Sequence, residues 1–137
     1  ILYLRLKHYL NSNTKNGSKK NITYHYDLGN DFYESWLDKS MTYSSAIFQN
    51  ENQRLYQAQI NKFKKLASLC RVKEDDKVLE IGCGWGAYSI FLAKTRMVNV
   101  DAITISKKQY EVVKKKIFEE GLNQKINVKL SSSQVDQ

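Results

Sequence analysis

Apolar positions recur along this chain in two rhythms, and the change from one to the other organises the whole sequence. In "ENQRLYQAQINKFKKLASLC" they fall at Tyr56, Ile60, Phe63, Ala67 and Cys70, in alternating steps of four and three. That spacing puts them on one face of an amphipathic helix, with Leu66 and Leu69 widening the stripe. After the charged turn "VKEDD" the apolar runs become short. "KVLEIG", "VNVDAITI" and "KINVKL" read as strands, separated by the helical stretch "AYSIFLAK" and by a second helix opening at Ser106. That second helix turns Tyr110, Val113 and Ile117 inward and closes on Gly121 and Leu122. The order β-α-β-α-β predicts parallel strands with right-handed crossovers, the doubly wound parallel sheet of an α/β protein.

Ahead of this unit the pattern is poorer. Residues 1–10 read as a helix end with Leu2, Leu6 and Tyr9 or Leu10 on one face, followed by the polar linker "NSNTKNGSKKN". The next stretch, "HYDLGNDFYESWLDKSMTYSSAIF", follows neither period, and it mixes seven aromatic residues (counting His25) with acids, amides and hydroxyls. A short helix is predicted there, capped by Asn30 and running through Phe32, Tyr33, Trp36 and Leu37. The chain thus divides into a helix end and linker (1–20), a helical lid and channel segment (21–70), and the first part of a Rossmann-like domain (71–137).

Composition narrows the class. A chain of 137 residues, 42% hydrophobic, can bury one core. No apolar run approaches the roughly 18 residues of a membrane span. The first residue is Ile and the last stretch is the polar "SSSQVDQ", so a piece of a longer protein is expected. Cys70 and Cys83 make neither a disulfide framework nor a CxxC metal pattern, which favours a reducing cytosol and no zinc. A net charge of +8 favours anionic partners, nucleic acid or an anionic lipid surface, although "NKFKK" and "VVKKK" also read simply as solvated helix faces.

Candidate chemistry gathers at "VLEIGCGWGAYS". Gly82, Gly84 and Gly86 lie where the first strand ends and a helix begins, and there backbone N–H groups face the ligand crevice of an open α/β sheet. The spacing G-x-G-x-G is that of enzymes using S-adenosyl-L-methionine. Ala87 also completes the dinucleotide pattern G-x-G-x-x-A, with Asp101 as a possible ribose acid. Two features favour the methyl donor. Asp101 falls early in its strand, whereas cofactor contacts come from the carboxyl end near Thr104 to Ser106. Glu80, just before the first glycine, suits an ammonium and would repel a pyrophosphate. Ser106 and Gln109 also form an S-x-x-Q capping box, and Thr104 stands at the strand mouth where a ribose would lie.

Taken together, "HYDLGNDFY", "WLD" and "MTYSSAIF", then "VLEIGCGWG", then "ITISKKQ", closely resemble the family of cyclopropane-fatty-acyl-phospholipid synthases and mycolic-acid cyclopropane synthases. The likeness runs from Asn21 to Leu130. It implies a class I methyltransferase whose opening segment is a lid and channel wall over the cofactor. It further implies that Tyr43 and Ser44 touch S-adenosyl-L-methionine. Val78, Leu79, Glu80, Ile81, Gly82, Cys83, Gly84, Trp85 and Gly86 are implied as the glycine-loop contact. Thr104, Ile105, Ser106, Lys107, Lys108 and Gln109 are implied as the adenosine side. His25, Tyr26 and Asp27 match a signature that shapes the lid.

In that family a sulfonium methyl is attacked by the electrons of a cis double bond, leaving a cation that loses a proton as a ring closes. Aromatic faces stabilise such cations by about 0.5–2 kcal/mol each, and Tyr33, Trp36, Tyr43 and Phe48 are candidates. Ser45 stands where the family commonly has a cysteine beside a bound bicarbonate, the base, and its hydroxyl retains a donor for that anion. Ser45 is therefore the implied catalytic position, and its change from cysteine leaves room for a methyl-branched product. Ser131 to Gln134 replace the family's acidic or aromatic adenine contact, and the family's Glu, His and Tyr base-site partners would lie beyond Gln137. The implied partners are unsaturated phospholipid acyl chains and an anionic membrane surface rather than nucleic acid, with a cytoplasmic protein peripheral to the inner face. The rival readings are a methyltransferase of a non-lipid small molecule, a truncated cofactor-binding piece without activity, and a dinucleotide-dependent redox enzyme.

Overall fold

The computed structural model describes residues 30–131. The N-terminal helix end, the linker, His25, Tyr26, Asp27 and the stretch Ser132 to Gln134 lie outside the described residues. The elements are α1 (Asn30–Glu34), α2 (Leu55–Leu69), β1 (Lys77–Ile81), α3 (Ala87–Arg96), β2 (Asn99–Thr104), α4 (Lys107–Glu119) and β3 (Ile126–Leu130). The strands form one parallel sheet in the order β1-β2-β3, with Val78 beside Val100 and Val100 beside Ile126. The predicted alternation of strands and helices is therefore what forms.

Strand side chains alternate between faces, and the two faces differ sharply. Val100, Ala102 and Ile126 enter one buried core with Phe63 and Ala67 of α2, Phe91 and Leu92 of α3, and Val113 and Ile117 of α4. All three long helices thus cover one side of the sheet. On the opposite side Leu79 and Ile81 are 58% and 70% exposed.

The α2 stripe is rotated from the predicted one. Phe63 and Ala67 are buried as expected, but Ala58 and Gln59 join them, while Leu66, Leu69 and Cys70 are exposed. The cause is a second neighbour. Phe63 packs its ring against Tyr88 and Phe91 of α3, and the Ala58–Gln59 side meets the 42–47 segment.

α1 is also shorter than predicted. It stops at Glu34 because the chain turns sharply: Ser35 Oγ donates to the Phe32 carbonyl, and the Asp38 carboxylate accepts from Ser40 N–H and Oγ. Trp36 and Leu37 therefore lie beyond the helix. Met41 follows at φ +58°, a left-handed conformation held by its burial against Tyr33 and Trp85.

Candidate cofactor cleft and its cover

The loop after β1 is built from its main chain. Gly82 and Cys83 N–H both donate to the Ile103 carbonyl, at 2.8 and 2.9 Å, which binds the loop to the end of β2. Gly84 sits at φ +55°, and a Cβ there would meet nothing within 4 Å, so this glycine borders open space. Gly86 differs. It adopts φ +79° as the N-cap of α3, and a Cβ would stand 3.0 Å from Val113 Cγ1, so it also permits loop and α4 to pack closely.

Side chains at the strand ends supply the polarity. Glu80 points to the helix side, where the fully buried Ser89 donates its hydroxyl to the carboxylate. Burial raises the Glu80 pKa to about 6, with the Ser89 hydrogen bonds opposing. Burial, and then the charge of Glu80, push the Cys83 thiol up to about 12, so Cys83 is a packing residue and no nucleophile. Val78 packs against the core and Leu79 and Ile81 face the open side of the sheet, so Glu80 and Gly82 to Gly86 are the residues of this run gathered at the strand end.

Across the mouth, Thr104 Oγ1 donates to Gln109 Oε1 at 2.9 Å and accepts from Ser106 N–H at 3.2 Å. Only half of the capping box forms: Ser106 Oγ accepts from Gln109 N–H at 3.3 Å, while the Gln109 side chain turns to Thr104 instead. Gln109 is 4% exposed, and its Nε2 has no partner among the described residues. A buried amide donor without an acceptor costs roughly 1–3 kcal/mol, so this one fits a ligand oxygen, such as a ribose hydroxyl. Ile105, Lys107 and Lys108 are exposed at the same end. Asp101, the candidate ribose acid of the dinucleotide reading, is exposed within β2 and engaged by Asn127 Nδ2 at 2.7 Å and Lys129 Nζ at 3.2 Å. It is not at the mouth.

The cover is stitched to the glycine loop by rings. Tyr33, Met41 and Trp85 form a small buried cluster. Tyr33 lies 4.9 Å from Trp85 and 5.7 Å from Tyr43 between ring centroids, and Tyr43 lies 5.9 Å from Trp36. Trp85 Nε1 donates to Asn30 Oδ1 at 3.0 Å, so the predicted helix cap is instead a tether to the loop. Tyr43 is thus one ring removed from the loop. Tyr43, Ser44 and Ser45 are exposed, and Phe48 is exposed too. Gln59 and Lys62, which contact the cover, were not singled out by sequence, and Asn30 was read only as a helix cap; the legible signal was Gln59 standing on the apolar side of α2. A separate open groove of about 1210 Å³, lined by Lys39, Tyr56, Phe63, Ile90, Lys94 and Lys116 among others, includes none of the residues from Gly82 to Gly86 or Tyr43 to Ser45.

A family model described as mycolic acid cyclopropane synthetase matches residues 13–135. The chain belongs to this family. Within the cyclopropane synthetase family, a probable fatty acid methyltransferase of Pseudomonas putida is 38% identical over 119 residues, covering 87% of this chain and 30% of that protein. The cyclopropane synthase MmaA2 of Mycobacterium tuberculosis superposes with a TM-score of 0.78 at 34% identity, covering 82% of this chain and 40% of that one. The mycolic acid cyclopropane synthase CmaA1 complexed with SAH and CTAB gives a TM-score of 0.78 at 32% identity over the same shares. The chain therefore spans about 30 to 40% of the length of these relatives. Its fold is the Rossmann-like parallel sheet of a methyltransferase using S-adenosyl-L-methionine.

Proposed function

We propose that this protein takes part in one-carbon transfer from S-adenosyl-L-methionine to the cis double bond of unsaturated acyl chains in phospholipids. The observation that carries the cofactor half is the buried Nε2 of Gln109, in the first turn of α4, which has no partner among the described residues. The solved relative CmaA1, complexed with SAH, supports the same half. S-adenosyl-L-methionine supplies an electrophilic sulfonium methyl when bound. Gln109 would donate to its ribose, the main chain of Gly82 and Gly84 would admit it closely, and Glu80 would oppose its ammonium. Tyr43 and Trp36 would face the cationic centre with their rings, and Ser45 would donate its hydroxyl to a bound bicarbonate base.

The acyl half is supported by the exposed rings of Phe32, Trp36, Tyr43 and Phe48 on the cover and by the relatives named for fatty and mycolic acids. Acyl chains reside in membranes, and the net charge of +8 suits peripheral contact with the anionic inner face. Among the described residues no helix is long and apolar enough to cross a membrane.

Two measurements on the full-length protein test this reading. Calorimetry with SAH should show binding that Gly84→Val abolishes, because φ +55° strains a β-branched residue and its side chain would fill the open space. Labelled donor offered with mixed phospholipids should place one carbon on unsaturated acyl chains, read by mass spectrometry. Label found only on small amines would sink the acyl reading, and a methyl branch that reverts to a ring in Ser45→Cys would assign the altered product to the Ser45 position.

A further inference from the structure

Residues 42–47 of the cover hang on one side of α2. Gln59, 2% exposed, donates from Nε2 to the carbonyls of Ser44 at 2.9 Å and Thr42 at 3.3 Å. Nearly one turn later Lys62 donates from Nζ to Ser44 Oγ at 2.7 Å and to the Ser44 carbonyl at 3.4 Å. Further along, Asn61 Nδ2 donates to the Ile47 carbonyl and Ile47 N–H donates back to the Ala58 carbonyl, both at 3.1 Å. Gln59 stands between Tyr56 and Phe63, where an apolar side chain would bury more cheaply. Its Oε1 has no partner among the described residues. An amide buried at that expense is accounted for by what its other end holds. What it holds is the backbone flanking Tyr43, whose ring packs on Tyr33, and Tyr33 packs on Trp85 of the glycine loop.

We infer that Gln59 and Lys62 are positioning residues: together they fix the Thr42–Ser44 backbone, and through Tyr43 they set the seat of the cover against the cofactor loop. The inference rests on the cofactor reading above, and it adds two side chains outside every motif that the cofactor was assigned to. Neither touches the reacting atoms. Their effect reaches the cleft through one segment of main chain and a row of three rings.

The test uses the full-length protein with Gln59→Leu, Lys62→Met and Lys62→Arg, and two readouts. Hydrogen exchange of the 41–48 segment should quicken by about tenfold in the first two variants, as expected when about 1.4 kcal/mol of hydrogen bonding is lost. The amides of β2 should keep their protection, which separates a loosened cover from general unfolding. SAH affinity should weaken by about tenfold in the same two variants, and Lys62→Arg, which keeps a donor, should restore most of it. Should Gln59→Leu fail to fold, Lys62→Met decides alone, because Lys62 is only partly buried and outside the core. Unchanged exchange and affinity in Lys62→Met would overturn the inference. Quickened exchange with unchanged affinity would also overturn it, leaving a fastening with no bearing on the cleft. If the unaltered protein ignores SAH, the cofactor reading fails with the coupling built on it, and exchange in the variants still shows whether the fastening exists.

Discussion

Glu80 serves two opposed demands at one atom group. Its anion suits an ammonium in the cleft, yet the carboxylate is buried beside Ser89, and its pKa is raised from 4.5 to about 6. A raised carboxyl pKa means that the folded protein keeps a proton that the unfolded chain releases. The folded state therefore loses stability as pH rises from about 4.5 through 6, by about 2 kcal/mol in all, and the loss is complete above 6. Glu80→Gln should remove that penalty. Thermal unfolding should show the variant more stable than the parent at pH 8 and no different near pH 4. SAH affinity should move the other way, weakening in the variant at pH 8, and in the parent it should weaken as pH falls through 6. A variant that is more stable and binds equally well would reduce Glu80 to scaffold. The glycine spacing was readable in the sequence at this scale. The Ser89 hydroxyl was not, because its meeting with Glu80 depends on α3 lying across β1.

Among the elements, α4 shows how a helix end can be both cap and wall. Ser106 caps it through the Gln109 N–H, and the Gln109 side chain is thereby free to pair with Thr104, its Nε2 left without a partner among the described residues. Ser106→Ala should cost about 1 kcal/mol in urea unfolding, as the loss of a helix cap does, and should also weaken SAH binding by misplacing Gln109. Destabilisation without any change in binding would confine Ser106 to its capping role. The capping pattern was legible, since three residues of spacing carry it. Its half-formed state was not, because Thr104 arrives from the strand. The same holds for α2: periodicity marked the helix, but not which side of it would meet the cover. Leu66 and Leu69 looked buried from their spacing, and the 42–47 segment claimed the Ala58–Gln59 side instead.

At the scale of the whole fold, among the described residues, helices cover one face of the sheet, and Leu79 and Ile81 are exposed on the other. The net charge of +8 acts at this same scale, and the proposed membrane contact follows from it. Vesicles containing anionic phospholipid should co-sediment with the protein at roughly 0.1 M salt and release it at roughly 1 M, over which the Debye length shrinks from about 10 to 3 Å. Equal retention on zwitterionic vesicles, or at high salt, would move the contact from charge to apolar surface. Alternation of strand and helix, the glycine bend and the family motifs were all determined by sequence alone, because each depends on residues close together in the chain. Only the tertiary structure decided that Asn30 tethers Trp85, that Gln59 and Lys62 hold the cover, and that Gln109 keeps a buried donor unspent. Those contacts join residues separated along the chain, and no local period or spacing encodes which side chains the packing of helix on sheet will bring together.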